Sequence, residues 1–312
     1  MTVLEKSEAP PAAGEPQRGS GGFPRLPSFE ARMMAPGLLV LALLSIVPFV
    51  VIIWMSFSHV HLLGGVHFSG AGVSNWHRMF TDPDVRHAWA VGGLYFVGTV
   101  GTEMVLGLAV ALLVHRLVWG RSLMLSLLLL LPMFVAPVVA GLLGRFMTDS
   151  TFGLYAWVLR QLGVHTDLLA NQNTALPTVI AVDVWEWTPL IILITLAGLA
   201  AVPPQILEAA QVDGANYWQT LRRIVLPSIA PVLLVALLIR SMDAIRFFDI
   251  VTAMTNGGPA DSTKIIPLRL YETAFRFFDL GYAAAIGLGM LAFSILVANV
   301  FVALLNRRGL TR

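Results

Sequence analysis

The sequence has 312 residues, of which 57% are hydrophobic and 12% are charged, with a formal net charge of +2 and a mean hydropathy of +0.77. Soluble domains carry about 25% charged residues, so this composition excludes an ordinary soluble protein. The absence of cysteine excludes a disulfide framework, thiol catalysis and a cysteine-ligated metal site.

The first predicted element is an N-terminal tail, residues 1–32, which is rich in Pro, Gly, Ser and Glu and contains no apolar run. We expect this tail to be disordered and cytoplasmic, and not a cleavable signal peptide. Six long apolar segments follow and predict an all-α polytopic membrane protein, because backbone polar groups in lipid must be hydrogen-bonded within their own segment. The segments lie at about residues 34–57, 89–114, 122–147, 177–200, 228–254 and 281–305. They place a transmembrane domain at residues 33–306 and a cytoplasmic C-terminal tail at 307–312.

The distribution of Lys and Arg predicts the orientation of these segments. The two tails and the short loops on one side carry eleven such residues, and the longer loops on the other side carry six. The eleven are Lys6, Arg18, Arg25, Arg32, Arg116, Arg121, Arg222, Arg223, Arg307, Arg308 and Arg312, and the six are Arg78, Arg86, Arg160, Lys264, Arg269 and Arg276. The positive-inside rule therefore places both termini and the loop at residues 201–227 in the cytoplasm.

Ionisable residues inside the predicted spans generally face a cavity or a partner, because burying a charge in lipid costs several kcal/mol. They are Glu103, Arg145, Asp183, Glu186, Arg240, Asp243, Arg246 and Asp249. The fifth span holds two oppositely charged pairs at a spacing of three residues, Arg240 with Asp243 and Arg246 with Asp249. This spacing permits ion pairs within the helix as an alternative to substrate contact. Helical geometry also places Asp243 and Arg246 on one stripe that faces the transport pathway.

The stretch "DVWEWTPL" (183–190) in the fourth span combines aromatic, acidic and hydroxyl side chains. Trp185 and Trp187 offer flat faces for a sugar ring, and Glu186 and Thr188 offer hydrogen-bonding groups. Ordinary aromatic packing is the alternative. The predicted substrate pathway consists of Trp185, Glu186, Trp187, Thr188, Asp243, Arg246 and Asp249.

The 201–227 loop is the most polar segment between two apolar spans. Its proline pair at 203–204 is suited to begin a helix, and Asp213 with Gly214 is suited to end it. Asn216 and Gln219 predict a capping pair at the start of a second helix. The pattern predicts a rigid helix–turn–helix elbow, which either docks into a groove on another protein or rests on lipid headgroups.

Beyond the fifth span, the outer segment 265–280 has Leu268, Tyr271, Phe275 and Phe278 at helical spacing. This spacing predicts an amphipathic helix. Such a helix either lies on the outer membrane interface or a partner, or packs on the bundle, and the sequence leaves both open.

The 201–227 loop also resembles a known motif. Glu208-Ala209-Ala210, three residues, Gly214, nine residues and then Ile224-x-Leu226-Pro227 match the "EAA" loop of permease subunits in binding-protein-dependent ABC importers. Three further stretches are similar to the carbohydrate-importer branch, which contains the maltose and glycerol-phosphate permeases. They are "LAGLAAVPPQILEAAQVDGA" (196–215), "RFFDIVTAMTNGGPADST" (246–263) and "TAFRFFDLGYAAA" (273–285). The resemblance covers about residues 33–306.

This resemblance implies the type I ABC importer permease fold, with six transmembrane helices and a cytoplasmic coupling helix. In the family, the loop docks into a cleft on an ATPase subunit. Carried over, Glu208 would meet a basic residue of the ATPase, Ala209 and Ala210 would keep the contact close, and Gly214 would make the turn. The implied coupling surface is Glu208, Ala209, Ala210, Asp213, Gly214, Arg222, Leu226 and Pro227.

The resemblance also implies the partners and the location of the chain. It predicts half of a translocation pathway for a sugar or related polyol in the bacterial inner membrane. The expected partners are a second permease subunit, in a heterodimer, with two ATPase subunits, an extracytoplasmic solute-binding protein and membrane lipid, but no nucleic acid.

The sequence lacks a phosphate-binding loop of the form G-x-x-x-x-G-K-[ST] and any spaced metal-ligand motif. We therefore expect that this chain is not an enzyme and binds no cofactor, and that ATP and Mg are bound by the partner ATPases. A standalone secondary transporter that uses Asp243 and Glu186 for proton coupling is the main alternative. An intramembrane enzyme would need a nucleophile–base or metal set in the spans, and none is evident. The EAA loop has no use in either alternative, which favours the importer.

Overall fold

The computed structural model describes residues 29–61, 67–117, 129–163 and 167–307. The chain divides into two compact units, residues 1–50 and 51–312. The described part of the first unit, residues 29–50, is wholly helical, and from Met33 onward its side chains are exposed on every side. A helix that is apolar all round is suited to lipid.

The second unit is almost entirely helical. In the described residues, helix α1 (Phe29–Ser56) leads into a hairpin of β1 (Ser58–His61) and β2 (His67–Gly70), which pair antiparallel with Ser58 opposite Gly70. The helices that follow are α2 (Ser74–Thr81), α3 (Pro83–Leu117), α4 (Pro137–Thr148), α5 (Leu154–Gln161), α6 (Gln172–Ala200), α7 (Pro204–Val212), α8 (Tyr217–Thr220), α9 (Leu226–Arg246), α10 (Asp249–Met254), α11 (Ile266–Phe275) and α12 (Leu280–Arg307). A 3₁₀ turn (Leu131–Phe134) precedes α4, and a π-helical turn (Leu221–Val225) joins α8 to α9.

Five helical segments in the described ranges are long and apolar enough to cross a membrane. They are Met33–Ser56, Pro83–Arg116, Gln172–Ala200, Tyr217–Arg246 and Leu280–Ala303. The predicted all-α polytopic membrane fold is thereby confirmed.

The third predicted span, 122–147, differs from the others. Its residues 122–128 lie outside the described ranges. Its remainder is interrupted, because Ala136 is extended, with ψ of 137°, between the 3₁₀ turn and α4. Pro137 explains this break, since a residue before proline is disfavoured in the α conformation.

The longest packed interface joins α3 to α6. Two glycines of α3 allow this close approach, because a Cβ on Gly98 would lie 2.8 Å from the side chain of Ile180 and one on Gly107 would lie 2.6 Å from that of Ile191. Small residues commonly line such interfaces between membrane helices. The result is a rigid pair of helices that α9 packs against on both members.

The fifth predicted span, 228–254, is not one helix. Helix α9 ends at Arg246, Phe247 is extended with ψ of 131°, and the chain resumes as α10 at Asp249. Phe247 is buried against Trp187, with ring centroids 6.2 Å apart in an edge-to-face arrangement. The break therefore coincides with a ring that is buried in the core, and hydrophobicity alone does not reveal it.

Helix α11 packs on the bundle, as one of the two predicted alternatives had it. Its buried face includes Ile266, Leu268 and Glu272. Of the predicted apolar stripe, Leu268 is buried, whereas Tyr271, Phe275 and Phe278 are exposed, so a contact of this stripe with the outer interface or a partner stays a prediction. The stripe follows helical spacing, but the helix ends at Phe275 and Phe278 adopts a positive φ of 55°.

A polar network joins α11 and the start of α12 to α2 and the start of α3. Arg269 contacts the Asp84 carboxylate at 2.5 Å, and Arg78 contacts that of Asp279 at 2.9 Å. The Tyr282 hydroxyl donates a hydrogen bond of 2.8 Å to the Asp82 carboxylate. These contacts connect residues about two hundred positions apart and hold the end of the bundle together.

This network predicts a pH dependence of stability. Partial burial raises the pKa of Asp82, but the hydrogen bond from Tyr282 and the backbone N–H of Asp84 outweigh it and hold the pKa below its ordinary value of 3.8. A carboxyl with a lowered folded-state pKa stabilises the fold above the unfolded pKa, and this stabilisation is lost as the pH falls through the folded value. We expect the melting temperature in detergent to decrease as the pH is lowered below about 4. In Asp82→Asn this decrease should be less steep.

The effect should be small, about 1 kcal/mol or less, because Asp82 is only partly buried. Tyr282→Phe is the matched variant, since it removes the hydrogen bond and keeps the carboxyl. If the melting temperature of both variants decreases with falling pH as steeply as that of the wild type, this role of Asp82 is contradicted.

Candidate functional site

The 201–227 loop folds as the predicted elbow. Helix α7 has proline in its first turn and ends at Val212, with Asp213 as its C-cap. Gly214 has a φ of +76°, a left-handed conformation that favours glycine, and the N–H of Ala215 then donates to the Ala210 carbonyl at 2.9 Å. The predicted stop at residues 213–214 is therefore confirmed.

The second half of the elbow begins with a capping box, which confirms the predicted pair. The Gln219 N–H donates to the side chain of Asn216 at 2.9 Å, and the Asn216 N–H donates to the side chain of Gln219 at 2.8 Å. Helix α8 then continues through the π-helical turn into α9, where the Leu226 N–H donates to the Leu221 carbonyl. Pro227 has no N–H to donate to the carbonyl four residues earlier, which accounts for the looser turn.

The elbow presents a mixed acidic and apolar surface. Glu208, Ala209, Asp213, Gly214, Arg222 and Pro227 are exposed, Leu226 is half-buried and Ala210 is buried. Two large apolar residues beside them are also exposed, Val212 to 87% and Trp218 to 68%. Sequence reasoning missed Trp218. The sequence offers one indication of it, because Trp218 directly follows Tyr217, which lies on the predicted apolar face and therefore directs Trp218 away from that face. Neighbouring residues on a helix point in different directions.

A second group of functional side chains is buried between α3, α6 and α9. We call Glu103, Asp183, Glu186, Arg240 and Asp243 the charged cluster. The fully buried Arg240 guanidinium donates to both Glu103 carboxylate oxygens, from Nε at 2.7 Å and from Nη2 at 2.9 Å. Its Nη2 also donates to Asp183. One cation therefore joins three helices through two carboxylates.

The fifth-span ion pairs agree only in part with the predicted spacing. Arg240 Nη1 lies 3.6 Å from Asp243, as the three-residue spacing permits. Arg246 pairs with Asp243 at 3.2 Å, and not with Asp249. The reason is the end of α9 at Arg246, which places Asp249 in a separate helix. The partners Glu103 and Asp183 lie 137 and 57 positions from Arg240, beyond any local pattern.

The predicted substrate-pathway residues do not share one surface. Trp185 is exposed and lines a cavity of about 640 Å³ together with residues of α4. Trp187 packs against Phe247 and lies below the Arg240 guanidinium, with the ring centroid 5.3 Å from its central carbon. Residues two apart on a helix do not face the same way. The role of both tryptophans in the pathway stays a prediction.

Several buried polar atoms near the charged cluster have no hydrogen-bond partner among the described residues. They are Glu186 Oε2, Trp187 Nε1, Thr188 Oγ1, Arg240 Nη1 and Asp243 Oδ2. Glu186 is only 1% exposed, whereas the Asp243 side chain is 25% exposed and marks where the cluster opens. Of these atoms, Arg240 Nη1 and Asp243 Oδ2 lie 3.6 Å from each other as an ion pair. Unpaired buried polar groups cost about 1–3 kcal/mol each, so a polar ligand beside Glu186, Trp187 and Thr188 would be favoured. In the same described ranges, no group of three or more acidic or histidine side chains is placed to hold a metal ion.

Comparison with known proteins agrees with these features. Residues 86–309 match the family model "Binding-protein-dependent transport system inner membrane component". The trehalose/maltose transport system permease protein MalF of Thermococcus litoralis is 32% identical over 273 residues, covering 86% of this chain and 90% of that protein. The trehalose transport system permease protein SugA of Mycobacterium tuberculosis is 32% identical over 272 residues, covering 87% of each.

A solved structure shares the fold. It is a bacterial ABC transporter involved in the import of the acidic polysaccharide alginate, with a TM-score of 0.74 and 19% identity, covering 91% of this chain and 96% of that one. The resemblance carried by the EAA loop is thereby confirmed. The chain belongs to the family of binding-protein-dependent transport system inner membrane components, and its fold is that of an ABC importer permease subunit.

Proposed function

We propose that this chain is the permease subunit of an ATP-driven importer of a sugar or related polyol, and that it couples to a cytoplasmic ATPase through the 201–227 loop. The observation that carries the proposal is the exposed surface of the elbow. Val212 and Trp218 are largely exposed beside Glu208 in a loop whose backbone is fixed by caps at both helices. Exposed apolar groups of this size commonly mark a protein interface.

The chemistry of this surface fits a groove with a basic residue. Glu208 supplies a carboxylate on the exposed side of α7, and the short side chain of Ala209 allows a partner to approach closely. A charge pair that is desolvated in an apolar surround contributes both orientation and affinity. We therefore assign Glu208, Ala209, Asp213, Gly214, Arg222, Leu226 and Pro227 to the coupling surface, with Ala210 buried directly beneath it.

The continuous helix from α8 to α9 supports a mechanical role for the elbow. It runs from Tyr217 to Arg246 without a break and carries Arg240, which is bound to α3 and α6. ATP binding and hydrolysis in the partner would favour one of two arrangements of these helices, and the transport pathway would open alternately to each side. ATP and Mg are bound by the partner, and this chain supplies the pathway.

The remaining assignments follow the family and the relatives. Two relatives are named for trehalose transport, which supports a sugar or polyol as the substrate. We place the complete transporter in a bacterial inner membrane, with both termini of this chain in the cytoplasm. It contains a second, different permease subunit, two ATPase subunits and an extracytoplasmic solute-binding protein. Within this chain, Trp187, Glu186, Thr188 and Asp243 are the side chains best placed to contact the substrate, with Trp185, Arg246 and Asp249 at the edges of the pathway.

The coupling role predicts a large effect of charge reversal at the elbow. In proteoliposomes that contain the complete transporter, with ATP inside and the solute-binding protein outside, we expect Glu208→Lys to lower trehalose uptake by about tenfold or more. The same variant should retain less ATPase on co-purification. Gln205→Lys is the matched control, because Gln205 is exposed on the same helix and lies outside the coupling surface. It should transport like the wild type.

Two results would contradict the proposal. Wild-type rates in Glu208→Lys would exclude the elbow as the coupling surface. Uptake by this chain without any ATPase, abolished by a protonophore, would favour the secondary transporter, in which Asp243 and Glu186 carry protons.

A further inference from the structure

A cavity of about 470 Å³, which we call the elbow cavity, lies between the elbow and the ends of α3 and α6. We propose that it binds an anionic phospholipid of the cytoplasmic leaflet, with the phosphate on Arg116 and an acyl chain between the helices. The choice of leaflet follows from the orientation of the chain, so in this respect the inference rests on the proposed function. Ligand pockets in proteins commonly have volumes of about 300–1,000 Å³, and the elbow cavity falls within this range.

The walls of the elbow cavity are mainly apolar. Six leucine and valine side chains line it, namely Leu112, Leu199, Val202, Leu207, Leu221 and Val225. Leu112 and Leu199 each lie within about one turn of the end of a segment that is long and apolar enough to span a membrane. The cavity is therefore at the level where a phospholipid changes from acyl chain to headgroup.

The polar part of the lining is basic. Arg116 and His115 belong to it, and among the lining residues that the structure describes there is no acidic side chain. The central carbon of the Arg116 guanidinium lies 5.0 Å from the centre of the Tyr217 ring, and this side chain has neither a hydrogen bond nor an ion pair to another described residue. A guanidinium binds a phosphate through two parallel N–H groups. Basic pockets between membrane helices on the cytoplasmic side bind anionic headgroups in this way.

The orientation of α7 separates the elbow cavity from the surface proposed for the ATPase. Leu207 and Gln211, one turn apart on α7, line the cavity. Glu208 and Val212, the next pair at the same spacing, are exposed. Successive residues of an α-helix are rotated by about 100°, so the two pairs lie on different faces. The ATPase takes one face in our proposal, and the other face is left for a ligand from the membrane.

The test titrates lipid onto the complete detergent-purified transporter and counts the bound molecules by native mass spectrometry. The probes are dioleoylphosphatidylglycerol and dioleoylphosphatidylcholine, which have the same acyl chains and differ in the net charge of the headgroup. At one site per copy of this chain, we expect the anionic lipid to bind about fivefold more tightly or better. One basic residue near an anionic headgroup contributes about this factor.

Two variants of the lining and two matched controls identify the site. Arg116→Gln should lose the preference for the anionic lipid at this site. Arg223→Gln should keep it, because it neutralises an exposed arginine of the elbow that is not among the described lining residues. Leu112→Trp places a large ring in the cavity and should lose the site for both lipids. Leu113→Trp makes the same change at a side chain that is 55% exposed beside the lining, and should bind lipid like the wild type.

The readout is bound lipid and not transport, so failure of this inference differs from failure of the importer proposal. Equal affinity of the wild type for both lipids, or an unchanged preference in Arg116→Gln, would overturn the inference and leave the importer proposal standing. Arg116→Gln decides the test alone if Leu112→Trp does not fold. If Leu112→Trp binds lipid like the wild type but retains less ATPase on co-purification, a side chain of the ATPase occupies the cavity and the inference is wrong. Wild-type uptake in Glu208→Lys together with the expected lipid binding would refute the coupling surface alone.

Discussion

We expect Arg240→Met to lower the free energy of unfolding by about 3–5 kcal/mol, because it leaves the carboxylates of Glu103 and Asp183 buried without their cation. Methionine fills a similar volume, so the loss reports charge and hydrogen bonding more than packing. The loss is measured by SDS titration of the purified protein in mild detergent. Uptake of trehalose should fall with it, since three helices of the bundle meet at this guanidinium.

Two further variants identify the cause of this loss. In Arg240→Met with Glu103→Gln and Asp183→Asn, no carboxylate of this triad is left unpaired, and most of the stability should return. Arg240→Lys should be intermediate, because an ammonium cannot contact both Glu103 oxygens with the paired geometry of a guanidinium. If the triple variant is no more stable than Arg240→Met, the buried charge is not the cause.

The second large effect is expected for Gly281→Ala, at the start of α12. A Cβ at this position would lie 2.0 Å from the Ser58 carbonyl oxygen and 3.2 Å from that of Met55. Both are backbone atoms, so α12 or the β1 strand must move. The same oxygen of Ser58 accepts a hydrogen bond of 3.0 Å from Asn75 Nδ2, which the movement would break.

Overpacking of this kind costs about 1–3 kcal/mol, and we expect the upper end of this range for Gly281→Ala. The thermal midpoint in detergent measures it. Gly101→Ala is the control, because Gly101 is helical and nothing lies within 4 Å of a Cβ there. Alanine should be neutral or stabilise by up to about 1 kcal/mol at this site. Equal midpoints for the two variants would contradict the proposed close contact.

Features encoded by neighbouring residues were predictable from the sequence. The stop at Asp213 and Gly214 and the capping box of Asn216 and Gln219 each depend on residues within a few positions of one another. Apolar length likewise identifies the long spans, because the solvent of a membrane helix is uniform over many residues. The coupling role of the elbow and the substrate pathway stay predictions, since the fold alone does not test them.

Features that depend on distant contacts were not predictable in this way. At the break after Arg246, Phe247 is buried against Trp187, which is sixty positions earlier in the sequence. The partners of Arg240 lie on two other helices, whereas spacing within α9 points only to Asp243. The composition of the fourth span suggests one shared site for Trp185 and Trp187. Because they are two residues apart, however, their side chains lie on different sides of α6.

Under the proposed coupling role, the helix from Tyr217 to Arg246, which includes the π-helical turn at Leu221–Val225, would act as a lever. Its 30 residues make a rod about 45 Å long at 1.5 Å per residue. A tilt of about 10° around its midpoint moves each end by about 4 Å and the Arg240 backbone by about 2 Å. Hydrogen bonds of 2.7 and 2.9 Å do not survive such a shift unless Glu103 moves too. A displacement of the elbow must therefore either move α3 together with this helix or break the hydrogen bonds between Arg240 and Glu103.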